Sequence, residues 1–505
     1  MTRRGVLTAG GLGALALGLG GCTSDDFEPE ASHDPDAPNT LLIVMDSTRA
    51  DYVGAYNPRA LAKTPNIDAL AKESLVFDLA VPESMPTGPA RRSILTGMRG
   101  FPHRDWIDTP DLPEEPGWTP IGDNQPIFTN VMGEAGVTTA YVTDNPFLIG
   151  PRFANFRRTL DYAEPQYSQG SYRVFNKPFT RVASRAEVEK YINPAIADTL
   201  EVGRLRGYEG WNAIFRHSER QSAAARVMRT GMRLLDEMKG KGPFFLGVDS
   251  FDPHEPFDPP PIYMKRYPPK VKGNLEEAGI TPIQPWETPA GTVDDTEVDE
   301  ETVERIRELY AAEVTYVDRW LGRLLNKLDD LRLTDSTAIY FMSDHGVTLG
   351  EHGILGKSRS RLHYHIYHVP CMIRHPAGKL AGKRSGFFAS THDIAPTLLS
   401  FMGVRAPGAM NGEDLSVLFD RRQPPDRPYF TAAYADYYLV GDGRFILITE
   451  TTGREKRLYD TQTDPRELSD IATTDPGTVD RLYAALVNEA GGTLPQITAR
   501  RVLGG

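Results

Sequence analysis

The chain has 505 residues, 40% hydrophobic and 25% charged, enough to bury a large core and suited to one big domain with a smaller one attached. Its formal charge is −12, with no long Lys/Arg block to neutralise a phosphate backbone, which excludes a nucleic-acid partner. An anionic substrate would need a locally positive pocket.

In chain order, Thr2-Arg3-Arg4-Gly5 precedes a weakly apolar Gly/Ala/Leu stretch ending in Leu19-Gly20-Gly21-Cys22. This resembles a twin-arginine export leader joined to a bacterial lipobox, so residues 1–22 are predicted to be a signal peptide. Cys22 would become the acylated residue that anchors an exported protein to the membrane at the cell envelope. The apolar stretch is short for a membrane span. Gly11 to Ala16 echoes a dinucleotide fingerprint, but no strand precedes it. Beyond Cys22 the remaining cysteine is Cys371, so no intrachain disulfide is available to the mature protein. Cys371 lies in the apolar run Val369 to Ile373 and is predicted to be a buried core thiol. Residues 23–38 are acidic and rich in Pro, Ser and Asp, the composition of a tether.

From 39 to 424 strand and helix patterns alternate. Thr40 to Met45 is a continuous apolar run, the mark of a parallel strand buried on both faces. Thr64-Pro65-Asn66 supplies an N-cap and a first-turn proline for a helix running towards Glu73. Further strands are predicted at Thr138 to Thr143, Phe244 to Asp249 and Ala338 to Ser343. A long helix is predicted from Glu300 to Leu328, with Ile306, Leu309, Tyr310, Val317, Trp320, Leu321, Leu324 and Leu328 at helical spacing. Helices between buried strands imply an α/β fold, a three-layer α/β/α sandwich. The Pro- and acid-rich segment from Pro259 to Asp299 is predicted to form a surface loop or lid. That loop and the Tyr-rich run from Asp161 to Tyr172 are where substrate selectivity is expected. Composition shifts again near Gln423 to Pro428, and strands at Tyr429 to Tyr434 and Tyr437 to Ile448, turning at Gly441-Asp442-Gly443, indicate a small C-terminal α+β domain over 425–505.

The acidic residues fall where such a sheet presents its ligand-binding edge. Asp46 follows the first strand, and Asp344 with His345 follows a later one, so the three could meet at the carboxyl edge as a metal site. After them comes a Gly-rich loop ending in Lys357, an arrangement suited to metal-assisted attack on an oxyanion ester. A nucleophile is offered by Thr87, placed where a helix should begin, with Pro89 in its first turn and Ile94-Leu95 behind. A hydroxyl there feels the positive end of the helix and a nearby cation, and both favour the attacking form.

Together these pieces resemble the sulfatase branch of the alkaline phosphatase superfamily. The matching runs are Asn39 to Asp51, Thr64 to Ala71, Thr87 to Gly97, Phe251 to His254, Ser343 to Lys357, Asp393 to Leu398 and Leu458 to Pro465, in family order. The resemblance implies an alkaline phosphatase-like sandwich with a small C-terminal sheet domain. It also implies one divalent cation held by Asp46, Asp344, His345 and the nucleophile. Arg91 falls on the arginine that positions the nucleophile and steadies the oxyanion. Lys357 falls on the lysine that binds the substrate's terminal oxygens, and His254 on the histidine that protonates the leaving group.

Three departures from the family pattern carry chemistry. Sulfatases hold at the Thr87 position a cysteine or serine that is oxidised to formylglycine, and threonine lacks the primary carbon this aldehyde requires; no formylglycine is expected. Threonine is a competent nucleophile on phosphorus in nucleotide pyrophosphatase, phosphoethanolamine transferase and lipoteichoic acid synthase relatives. Ser47 stands where many sulfatases have a second metal-binding aspartate, and His345 where many calcium enzymes have asparagine. This pairing is similar to that of phosphonate monoester hydrolase and phosphodiesterase relatives, and shifts preference from Ca towards Mn, Zn or Fe. In a further departure, Asp144-Asn145-Pro146 replaces the common Gly-Lys-x-His run, which leaves Lys357, Arg91 and the cation as the principal positive groups. The expected protein is a lipid-anchored hydrolase in which Thr87 attacks a phosphate diester, phosphonate or sulfate ester. Alternatives are a true sulfatase without formylglycine, a phospho-headgroup transferase of the envelope, and a non-catalytic lipoprotein that binds anionic glycans.

Overall fold

The seven residues Asn39–Met45 (β1) are all buried, since alternate side chains enter different cores. Leu41, Ile43 and Met45 join one cluster and Leu42 and Val44 the other, as a strand covered on both faces requires. The computed structural model describes residues 33–102, 117–166, 184, 218–255, 257–268, 300–357 and 362–495. The predicted leader with Arg3, Arg4 and Cys22, residues 23–32 of the predicted tether, 167–172 of the Tyr-rich run and 269–299 of the predicted Pro/acid loop lie outside the described residues.

The other strands of the two main sheets are Leu75–Phe77 (β2), Ser84–Met85 (β3), Thr138–Thr143 (β4), Tyr162–Pro165 (β5), Phe244–Ser250 (β6), Thr337–Ser343 (β7), Cys371–Arg374 (β8), Lys383–Ser385 (β9), Phe430–Tyr434 (β10), Tyr437–Gly441 (β11), Phe445–Glu450 (β12) and Lys456–Asp460 (β13). The large sheet has the order β9-β2-β8-β7-β1-β6-β4-β5. Its centre is parallel, β1 pairing with both β6 and β7, while β8 runs antiparallel to β7 and β2. Helices Ala223–Met238 (α3) and Glu300–Asp330 (α4) cover one face. Helices Thr87–Thr96 (α2) and Ile394–Phe401 (α5) cover the other. This is the α/β/α sandwich expected from the alternation. All eight apolar residues predicted for the inner stripe of α4 are buried.

Thr64 does precede helix Pro65–Lys72 (α1), but capping falls to a distant residue. Its hydroxyl accepts from Gly54 N–H and donates to Asp68. The free N–H groups of Asn66 and Ile67 instead meet the Asp318 carboxylate from α4, at 3.1 and 2.8 Å.

The smaller sheet has the order β13-β12-β11-β10-β3. β10 to β13 form an antiparallel meander, packed on helix Pro476–Glu489 (α6). β3 joins β10 in parallel and leads directly into α2. The C-terminal meander therefore holds the strand that delivers Thr87.

Candidate active site

Register brings the site together. Met45 lies opposite Ser250 of β6 and Ser343 of β7, so Asp46, Asp249 and Asp344 gather at the carboxyl edge. The chain leaves β1 through Ser47, whose φ of 56° is unusual for a residue with a side chain. That kink turns the Ser47 hydroxyl onto Asp46 Oδ1 at 2.7 Å and its N–H onto Asp344 Oδ1 at 2.9 Å. His345 N–H also donates to Asp344 Oδ1, at 2.9 Å. Ser47 thus orients both predicted carboxylate ligands.

His345 donates Nδ1–H to the Gly346 carbonyl at 2.9 Å, because a carbonyl can only accept. Nε2 is left as the lone-pair nitrogen, 3.1 Å from Thr87 Oγ1 and 3.2 Å from Asp344 Oδ2. Burial, aided by Lys357 and Arg91 and opposed by Asp344, lowers the imidazolium to about 4, so the ring is neutral near pH 7. Thr87 opens α2, with Pro86 at the N-cap position.

Arg91, one turn along α2, meets three carboxylates. Asp249 receives Nε at 3.1 Å and Nη2 at 2.7 Å, Asp344 receives Nη1, and Asp46 lies 3.2 Å from Nη1. The position assigned to nucleophile placement and oxyanion contact serves here as counter-charge to the carboxylates. Asp249, which the motif reading passed over, also accepts from Tyr141 Oη at 2.9 Å. An acid ending a buried strand is the same signal that marked Asp46 and Asp344. Asn145 was noted only as a departure from the family run. It caps Pro146–Ile149 with Oδ1 and reaches Asp46 Oδ2 with Nδ2 at 3.4 Å.

Ligand atoms of Asp46, Asp344 and His345 lie within 4.8 Å of one another, all buried. With all three ionised, as a cation would require of its ligands, Asp46, Asp249 and Asp344 oppose one guanidinium and leave two uncompensated negative charges in a dry site. Burial, with Asp344 nearby, pushes Asp46 well above the carboxylate range; burial also opposes ionisation of Asp344, but Arg91 and hydrogen bonds such as that from Ser47 N–H together outweigh it and keep that carboxyl low. Two carboxylates, one imidazole lone pair and a hydroxyl, short of two positive charges, fit a single divalent cation.

The predicted Gly-rich loop is a short hairpin, Thr348–Leu349 against Leu355–Gly356, and Lys357 follows it. Lys357 Nζ contacts Glu255 Oε1 at 2.7 Å, Glu255 Oε2 at 2.8 Å and His254 Nε2 at 3.1 Å. His254 Nδ1 donates to the Glu255 carbonyl at 2.6 Å, so Nε2 accepts from the ammonium. Burial, with Lys357 beside it and Glu255 opposing, lowers His254 to about 3. The 3.5 Å approach of its Nδ1 to Glu255 Oε2 is therefore a polar contact of a neutral ring, not an ion pair. The proton available at this end of the site rests on Lys357 and reaches a leaving oxygen through His254 only after transfer. Glu255 is a residue that the sequence reading missed, and nothing in its neighbourhood separates it from an ordinary loop acid.

The site thus holds a hydroxyl beside a cluster whose ligand atoms fit a cation, with an ammonium and an imidazole nearby. A family model described as Sulfatase matches residues 38–404, and one described as N-sulphoglucosamine sulphohydrolase, C-terminal, matches 350–489. The multifunctional alkaline phosphatase superfamily protein PehA of Trinickia caryophylli is 25% identical, covering 89% of this chain and 93% of its own. Iduronate 2-sulfatase of Homo sapiens is 30% identical over 68% of this chain and 61% of its own. The phosphonate monoester hydrolase SpPMH from Silicibacter pomeroyi shares the fold, with a TM-score of 0.66 at 20% identity, over 90% of this chain and 95% of that one. The match over more than half the length, on a fold and site of this kind, shows that the chain belongs to the sulfatase family, hydrolases of sulfate and phosphate esters.

Proposed function

We propose that this protein is a metal-dependent hydrolase that cleaves phosphodiester or phosphonate ester bonds through Thr87. The observation that carries this reading is the Thr87 hydroxyl at the head of α2, 3.1 Å from the neutral His345 Nε2. Asp46, Asp344, His345 and Thr87 would hold the cation, with Mn, Zn or Fe favoured over Ca by the imidazole. Bound there, it supplies Lewis-acid polarisation of the ester oxygen and favours the ionised hydroxyl.

The chain's own groups supply the rest. Thr87 Oγ1 attacks phosphorus, and the bond from phosphorus to the leaving oxygen breaks. That oxygen takes the proton held between Lys357 and His254. Water then attacks the phosphorus and the bond to Thr87 Oγ1 breaks; one water proton returns to the Lys357–His254 pair, and the Thr87 oxygen takes back the proton it gave to solvent before attack. Asp249 and Arg91 hold the carboxylates in place throughout. The names of relatives support both ester classes, since PehA and SpPMH stand beside iduronate 2-sulfatase. Sulfuric esters are the second reading, supported by the Sulfatase match, with release of sulfated threonine by water at sulfur.

The metal-loaded protein should be assayed with an aryl sulfate, a phosphate monoester, a phosphodiester and a phosphonate, compared by kcat/KM. Thr87→Ala should lower kcat/KM by about 10⁴-fold or more with unchanged thermal unfolding, and Thr87→Ser should keep part of it. A fully active Thr87→Ala protein ends this proposal. A headgroup transferase would share the first half-reaction and is separated by product analysis with an added acceptor alcohol.

The enzyme is also proposed to work outside the cytoplasm, anchored through Cys22, on the strength of the run from Thr2 to Cys22. Unchanged export of a variant with both Arg3→Lys and Arg4→Lys would refute the twin-arginine route.

A further inference from the structure

The Lys357 ammonium has three N–H bonds, and three acceptors take them. Two are the oxygens of one carboxylate, Glu255, at 2.7 and 2.8 Å, and the third is His254 Nε2 at 3.1 Å. Both charged groups are buried, Lys357 being 1% and Glu255 3% exposed, so neither is shielded by water. Burial opposes ionisation, but the Lys357 ammonium gripping both oxygens keeps the Glu255 carboxyl low, at about 2, and it is ionised across the working range. The cation that should attract the substrate's free oxygens is therefore already neutralised by a carboxylate gripping the same nitrogen.

Charge on the other side of Thr87 also cancels. Three carboxylates meet Arg91, and the divalent cation that the cluster fits would balance the remaining two negative charges. Asp144, Asn145 and Pro146 add no positive group at the β4 edge. Among the described residues the site therefore carries no net positive charge, and such a site can take a singly charged group at modest cost. A doubly charged one suffers far more, since the desolvation penalty of an ion grows with the square of its charge. Its extra negative charge must also lie close to the Glu255 carboxylate.

We propose that Glu255 is a specificity-determining residue, which limits the site to esters with one negative charge and disfavours phosphate monoester dianions. Phosphodiesters, phosphonate monoesters and sulfate monoesters all satisfy this limit. The inference rests on the ester-hydrolase reading above and names its substrate class by charge. It differs from a purely structural role, in which Glu255 would only neutralise a buried lysine and leave substrate charge preference untouched.

The test compares binding of dimethyl phosphate, a monoanion, and methyl phosphate, a dianion at pH 8, to the manganese-loaded Thr87→Ala protein by titration calorimetry. Dimethyl phosphate should bind at least about tenfold more tightly, and adding Glu255→Gln should narrow or invert that ratio by about tenfold. No preference with Glu255 in place, or the same ratio in both proteins, overturns the proposal. A second arm does not depend on the folding of the Glu255 variant. With Glu255 present, methyl phosphate affinity should fall about tenfold between pH 5 and pH 8 as its second proton (pKa about 6) is lost, while dimethyl phosphate affinity stays level. Methyl phosphate affinity that is constant or rises with pH overturns it. If the unsubstituted enzyme hydrolyses none of the four ester classes yet the binding preference holds, the hydrolase reading falls and charge selection stands. Hydrolysis without charge preference means the reverse.

Discussion

At the scale of single residues, the site is a set of buried charges that tolerate one another only in combination. Asp249 is the member most removed from the reacting atoms and the best probe of that balance. Asp249→Asn replaces a two-point ionic contact to Arg91 with a weaker one and should cost about 2 kcal/mol in urea unfolding. It should also lower kcat/KM at least about tenfold as the guanidinium loses its orientation. Glu467 gives a pH signature away from the cation cluster. Its carboxyl accepts from Tyr367 Oη at 2.6 Å and faces His363 Nδ1 at 2.9 Å, and burial raises it to about 7. Below that value it is neutral, so the His363 contact is a hydrogen bond with no ion pair. The folded state then holds a proton that the unfolded chain releases near 4.5. Stability should therefore be full below about pH 4.5 and decline as pH rises through 7, by about 3 kcal/mol from this group. Urea unfolding of wild type and Glu467→Gln from pH 4.5 to 8 measures it, and the variant should lose that slope.

At the scale of elements, backbone approach decides what the motif can hold. A Cβ at Gly346 would sit 2.0 Å from the His365 carbonyl oxygen, a contact with backbone that cannot swing aside. Gly346→Ala must therefore push the His345 turn away from Thr87 and should abolish measurable turnover, with a stability loss of about 2–3 kcal/mol by thermal unfolding. Gly247 leaves room in β6 for the Tyr141 ring, which a Cβ would approach at 2.0 Å, and that ring carries the hydroxyl that steadies Asp249. The long elements were legible from sequence because burial on one stripe or two faces leaves a periodic signature, as in α4 and β1. Ser84–Met85 was not, since two residues carry no period and pair only with Phe430–Tyr434, hundreds of positions away. The hairpin before Lys357 was hidden by its glycines, which read as a loop.

At the scale of the molecule, the small sheet and the large one share the nucleophile's approach. Beside the β3–β10 pairing, Arg99 donates to Glu83, Glu489 and Thr431, and Arg427 grips Asp393 at 2.8 Å through both Nη atoms. A chain ending at residue 424 would strip β3 of its partner strand and leave Asp393 buried without Arg427. It should lose cooperative thermal unfolding and become susceptible to proteolysis near Thr87. A folded, protease-resistant 33–424 fragment would show the two sheets to be independent.

The sequence by itself determined the sandwich, the family and the residues Asp46, Thr87, Asp344, His345, His254 and Lys357 as candidates. Strand ends, periodicity and short motifs are local in the chain, so local patterns suffice to find them. Only the tertiary structure decided which ring nitrogen of His345 and of His254 carries the proton, that Arg91 serves three carboxylates, and that Glu255 closes on Lys357. Those facts depend on distances between segments far apart in sequence and on the loss of water around them, and burial and pairing of charge leave no periodic trace along a chain.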